Sequence, residues 1–226
     1  MLQRKDIRGL TARVILFFLL GLSHPQFLPA DNSIFLSELS SQAKQKIKRG
    51  ELVYTEKDKD SSIWPKRYLY SIIEATPLES ISIFAAFTHQ PQYVPGMQNA
   101  QILKQSSPTS VTVHYDLNLP WPLMKEEVIN KHEFFALAGE QKSYFVSWNQ
   151  LKGRTAKINR GYAFFTPYGD AQTLMEYSSY IHPTSIFAKA SFVKERAKKE
   201  FIQTTQAIVQ HIEKMKQHKP TFVKEK

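Results

Sequence analysis

No cysteine occurs among the 226 residues. The chain therefore forms no disulfide, carries no cysteine-linked lipid, and offers neither a thiol nucleophile nor a thiolate metal ligand. Seven histidines are present, but none falls in an H-x-x-x-H or H-E-x-x-H spacing, so no metal site is expected. A G-x-S-x-G elbow, a P-loop and a dinucleotide fingerprint are all missing. Glu126 and Glu127 are the one adjacent carboxylate pair in the strand-rich half, and neighbours in a strand point to opposite faces. Catalysis would fall to a lone Tyr, a lone His or Glu176 acting by proton transfer. The expectation is a protein that is not an enzyme and has no cofactor.

Long apolar runs are also scarce. The nine residues "VILFFLLGL" from Val14 to Leu22 follow a basic start at Arg4, Lys5, Arg8 and Arg13. They fall well short of the roughly 20 residues a spanning helix needs, and they fit a secretory signal with cleavage near Ala30. An uncleaved anchor is the alternative. Residues 1–30 are thus expected to be a signal peptide, and the protein to be exported, to the periplasm first and the extracellular space second. Residues 31–226 hold 26 Lys and Arg against 19 Asp and Glu, a net +7. These charges are scattered, without a compact Arg/aromatic cluster, so nucleic acid is not an expected partner. Transient contact with an anionic membrane surface is compatible with the charge. A monomer is expected.

What is present is an ordered series of strand and helix signals. Residues 31–50 read as a helix ending at Gly50, either docked on the domain or reaching towards a membrane. A strand at Glu51–Thr55 and another in "WPKRYLYSIIEATP" follow. Thr76, Pro77 and Glu79 then open a helix over "PLESISIFAAF". "HQPQYVPG" reads as an irregular connection. Six strand segments joined by turns run from Met97 to Pro183, interrupted by the Pro120-Trp121-Pro122 knuckle, which should end a strand. Beyond Pro183, Ile186, Ala190, Val193, Ala197, Phe201, Thr204, Ile208, Ile212 and Met215 recur every three or four residues, the stripe of one long amphipathic helix. A sheet with one apolar face needs a cover, and that helix supplies it. Residues 51–217 make one domain, and 218–226 a basic tail.

This order resembles the START-type helix-grip (SRPBCC-like) superfamily over about residues 51–216. The likeness rests on the element order, on "LPWPLMKEEVI", and on "GYAFFTPYGDAQTLMEYSSYIHP" running into the last helix. Lys125 stands near the family's arginine, and His182-Pro183 replaces a longer glycine-rich turn. The resemblance implies an α+β helix-grip fold, a curved antiparallel β-sheet wrapped around a long C-terminal α-helix. It also implies an apolar tunnel between the two that holds a lipid or other hydrophobic small molecule, for transport or sensing. A polyketide cyclase/aromatase-like enzyme using the same cavity, or a ligand-free interaction domain, are the alternatives.

Period-2 alternation selects the residues that would line such a tunnel. One face of "VTVHYDL" carries Val113 and Tyr115. In "EVINKHEFFALA", Lys131 and Glu133 want water, which turns Asn130, His132 and Phe134 inward. Tyr144, Val146 and Trp148 form the larger set of "SYFVSW". "INRGYAFF" is ambiguous, with Tyr162 and Phe164 against Ala163 and Phe165; Tyr162 is taken as a candidate. Met175 and Tyr177 are the inward choice in "LMEYSSYI". From the helix come Ile186, Ala190, Val193 and Ala197, whose alanines leave room where larger side chains would fill the tunnel. Polar tips at Tyr115, Asn130, His132 and Tyr177 need partners once buried, from one another or from a ligand.

Overall fold

The computed structural model describes residues 39–57, 63–119, 125–137 and 142–217. The proposed leader, the Pro-Trp-Pro knuckle and the basic tail lie outside these residues. Eight strands build one antiparallel sheet: β1 (Val53–Lys57), β2 (Lys66–Ile73), β3 (Met97–Ser107), β4 (Ser110–Asn118), β5 (Lys125–Leu137), β6 (Ser143–Lys152), β7 (Ala156–Tyr168) and β8 (Gln172–Pro183). In space they run β1-β2-β8-β7-β6-β5-β4-β3. Consecutive strands from β3 to β8 are neighbours, as short turns between antiparallel strands require. Only the step from β2 to β3 crosses to the opposite edge. Helix α2 (Pro77–Phe84) and a 3-10 turn at Phe87–Gln92 make that crossing.

Local sequence explains why α2 begins where it does. Thr76 Oγ1 accepts from Glu79 N, and the Glu79 carboxylate accepts from Thr76 N at 2.9 Å, a reciprocal capping box followed by proline at the first helical position. The "HQPQYVPG" stretch is not wholly irregular. Its first part is the 3-10 turn, where buried Gln90 donates through Nε2 to the Phe84 carbonyl at 3.1 Å and so satisfies an end of α2.

The long helix α3 spans Ser191–Gln217. Ile186–Lys189 is a separate 3-10 turn, capped by Ser185, and Ala190 after it is extended at φ −65° and ψ 136°. The amphipathic stripe is therefore broken at its start. Val193, Phe201, Ile208 and Ile212 are buried, whereas Ile186 and Met215 are exposed.

The concave face of the sheet is covered in two parts. At one end Ile81 and Phe84 of α2, with Ile208 and Ile212 of α3, pack on Ile73, Val113, Val146, Phe165 and Met175. This is the solid core. Towards the other end only the first half of α3 lies over the sheet. On the convex face, helix α1 (Ser41–Lys48) docks through Ile47 against Val53, Tyr70 and Leu174. Its observed start is Ser41, capped by Ser40 Oγ accepting from Ala43 N at 3.2 Å. Residues 41–48 of the expected N-terminal helix thus dock on the domain, and its residues 31–38 lie outside the described residues.

Candidate functional site

Beneath the first half of α3 lies a partly open cavity of about 310 Å³. Its floor is a row of cross-strand neighbours: His132 pairs with Trp148, Trp148 with Gly161, Gly161 with Ser179, and Ser179 with Arg67. Glycine at 161 is demanded by this row. A Cβ there would meet the Ser178 carbonyl oxygen at 2.2 Å and the Trp148 ring at 2.3 Å. The missing side chain gives the Trp148 indole room to pack directly on the Gly161 backbone.

The walls are mostly apolar. Phe84, Phe87, Val94 and Met97 close the end next to the core, Leu117 and Val128 form one side, and Val193, Ala197, Phe201 and Ile208 of α3 form the roof. Tyr177 rests between Trp148 and Phe201, with ring centroids 5.3 and 5.7 Å away. Leu119 and Glu126, on either side of the knuckle segment, both line the cavity.

A few polar groups interrupt this lining. His132 Nε2 and Tyr115 Oη are 3.0 Å apart, and Phe87 lies over the imidazole at 4.4 Å between centroids. Burial pushes the His132 pKa down to about 3, so the ring is neutral around pH 7. The same desolvation drives the Tyr115 and Tyr177 hydroxyls up, so both stay protonated. Arg67 is buried on the cavity wall with its guanidinium 5.1 Å from the Trp64 ring. Burial lowers its pKa, against the pull of Tyr54 and Glu56. Among the described residues, Asn130 Oδ1, His132 Nδ1, Arg67 Nε and Gln150 Oε1 are buried without a hydrogen-bond partner. Glu126 is different. Its carboxylate accepts from Arg154 N at 2.6 Å and from Thr155 N at 3.2 Å, so it fastens the β6–β7 turn.

The structure places thirteen of the fifteen candidate residues in three environments. Tyr115, Asn130, His132, Trp148, Tyr177, Val193 and Ala197 line the cavity. Val113, Phe134, Tyr144, Val146 and Met175 face the same side of the sheet but lie in the solid core. Alternation reports which face a residue occupies, not how far along the strand the cover of α2 extends. Ala190 packs beside Trp64, Ala188 and Val193 in a small satellite cluster. Two candidates are corrected. Tyr162 points to the convex face and donates to the Glu176 carboxylate, while Ala163 and Phe165 take the inward positions. Ile186 is exposed because the chain leaves helical geometry at Ala190.

Arg67, Trp64, Gln90 and Glu126 line the cavity and were not candidates. For Arg67 a signal existed: it shares a strand face with Leu69, Ser71 and Ile73. Gln90 and Trp64 sit outside strands, where periodicity carries no information. Among the described residues no group of three potential ligands could hold a metal ion.

No protein-family model matches the sequence, and no curated protein matches it. The fold, however, is shared with solved structures. A STAR-related lipid transfer protein from Xanthomonas axonopodis is 15% identical, with a TM-score of 0.62 over 71% of this chain and 93% of that one. Human StAR-related lipid transfer protein 5 is 8% identical, with a TM-score of 0.58 over 91% and 94%. The Zhui aromatase/cyclase from Streptomyces is 8% identical, with a TM-score of 0.53 over 74% and 94%. With eight antiparallel strands, a crossing α2 and a long helix over the concave face, this chain has the START-like helix-grip fold.

Proposed function

We propose that the protein binds a lipid or other hydrophobic small molecule in the cavity under α3, and carries or senses it in a compartment reached by export. One observation carries this reading: a cavity of about 310 Å³ with mainly apolar walls, whose lining includes four residues, Arg67, Asn130, His132 and Gln150, that each hold a buried polar atom without a hydrogen-bond partner among the described residues. That volume is roughly ten times a water molecule's share of the liquid, and falls within the range of small-molecule sites. Apolar walls give binding energy by taking hydrocarbon out of water, and buried polar atoms select a ligand that satisfies them. His132 and Asn130 are neutral at neutral pH, so their end of the cavity suits an uncharged polar group such as a hydroxyl or carbonyl. Lipid-transfer proteins among the structural neighbours favour the same reading. Export rests on the leader at residues 1–30.

Native mass spectrometry of the purified protein, followed by solvent extraction, tests this. Bound hydrophobic material is expected, and its loss should lower the melting temperature. A protein that is empty as isolated and takes up nothing from a panel of lipids and sterols rules the reading out. The cyclase-like reading is supported by the aromatase/cyclase neighbour and by the contact between Tyr115 and His132. Turnover of a polyketide-like substrate, abolished by His132→Gln with binding retained, would favour it.

A further inference from the structure

Between β8 and α3 the chain holds large apolar side chains out in water. Ile186 is 81% exposed, Phe187 55% and Phe192 54%. One exposed apolar residue needs no explanation, but three within seven positions do. The exposure is built in. Ala188 is wholly buried, and its carbonyl accepts from Trp64 Nε1 at 2.9 Å. Ser185 Oγ accepts from Phe187 N at 3.2 Å and fixes the start of the turn. With Ala188 locked inward, a four-residue turn must present Ile186 and Phe187 outward.

Cations surround this tip. Lys189 and Lys194 are exposed within the same segment. Arg154, exposed at the β6–β7 turn, and Lys157, exposed at the start of β7, are drawn alongside it, because Thr184 N donates to the Thr155 carbonyl at 2.9 Å and Thr184 Oγ1 to the Arg154 carbonyl at 3.2 Å. Arg196 is exposed and also lines the cavity. Glu195 is the one acidic residue from 184 to 199. The tip is continuous with the cavity, since Trp64, Val193 and Ala197 pack in the cluster around Ala188 and also line the cavity.

We propose that this tip is a docking surface for an anionic phospholipid bilayer. Ile186, Phe187 and Phe192 enter the headgroup–acyl boundary, and the surrounding Lys and Arg side chains sit over anionic headgroups. Docking brings the Arg196 mouth of the cavity against the membrane. A soluble acidic protein would match the charge but would leave no reason for apolar groups to be pinned outward. The purpose of the contact rests on the cavity taking a hydrophobic ligand; the contact itself does not.

The absence of native cysteine supplies the test. Ile186→Cys in the full chain places one thiol on the tip, and Leu103→Cys, half-exposed on β3, is the control. Each is labelled with an environment-sensitive nitrobenzoxadiazole probe. Vesicles of equal parts phosphatidylcholine and phosphatidylglycerol should raise and blue-shift the emission at 186 several-fold, and leave 103 unchanged. Phosphatidylcholine alone should give a much smaller response. Lys189→Glu with Lys194→Glu should weaken apparent vesicle affinity about fivefold or more. An equal response at both positions, none at 186, or a rise at 186 from added protein without vesicles (a second copy covering the tip) overturns the proposal. Ligand content is measured on the same preparation. Protein that is empty, takes up nothing from the lipid panel and still docks refutes the cavity reading alone; loaded protein with a flat signal at 186 refutes docking alone.

Discussion

Gly161 and Trp148 show how one residue shapes the cavity. Adding a methyl group at 161 brings Cβ within 2.3 Å of the indole and 2.2 Å of a β8 carbonyl, and backbone cannot yield as a flexible side-chain end can. Gly161→Ala should therefore lift Trp148 into the cavity and destabilise the fold by about 1–3 kcal/mol. Urea unfolding measures the loss, and ligand uptake should fall with it. Two buried titratable groups work in opposite directions. Burial holds His132 at about 3, below its ordinary 6.5, so its contribution to stability is present above pH 6.5 and lost as pH falls towards 3. On the convex face, desolvation raises Glu176 from 4.5 to about 7, despite opposing help from Tyr162 and Lys66. Its contribution is present below pH 4.5 and lost as pH rises through 7. The two oppose each other between pH 4.5 and 6.5. Relative to the wild type, Glu176→Gln should gain stability as pH rises from 4.5 to 7, and His132→Gln should gain it as pH falls from 6.5 to 3. Unfolding curves across that range check both signs.

At the scale of elements, α2 decides where the core ends. It starts at a capping box and is short, Pro77–Phe84, so it covers the β6, β7 and β8 floor only at one end. Thr76→Ala removes one half of the box and should cost about 1 kcal/mol, read as a lower urea midpoint with an unchanged slope. The box, the proline and the acidic residue were all legible in the sequence because they act within one turn. The break before α3 was not. Ile186 and Ala190 fit the helical spacing, yet burial of Ala188 and the Trp64 hydrogen bond turn the backbone out of the helix. A partner 124 residues away in sequence leaves no trace in local periodicity.

For the whole molecule, the cavity is what remains when a long helix spans a sheet that α2 covers only in part. An empty apolar cavity forfeits contacts its walls would otherwise make. Ligand binding to the folded state alone should raise the melting temperature in a concentration-dependent way. Ala197 lies on the roof, so Ala197→Phe should fill part of the space without opening the core. Its expected signature is loss of that ligand-dependent rise, with a ligand-free melting temperature equal to or above the wild type's; thermal unfolding with and without lipid reads both.

The sequence alone determined the order of the main elements, the cap of α2, and the inward face of β4, β5, β6 and β8, because each follows from neighbours a few residues apart. On β7 it pointed to the wrong face through Tyr162, since aromatic residues alternate on both faces; the core packing of Ala163 and Phe165 and the Tyr162–Glu176 contact decide between them. Tertiary structure decided which inward residues meet a cavity and which meet a core. His132 and Phe134 are two residues apart on one face of β5, and the first lines the cavity while the second lies in the core. That difference depends on where α2 and α3 lie above the sheet, and it is set by packing between segments far apart in the chain.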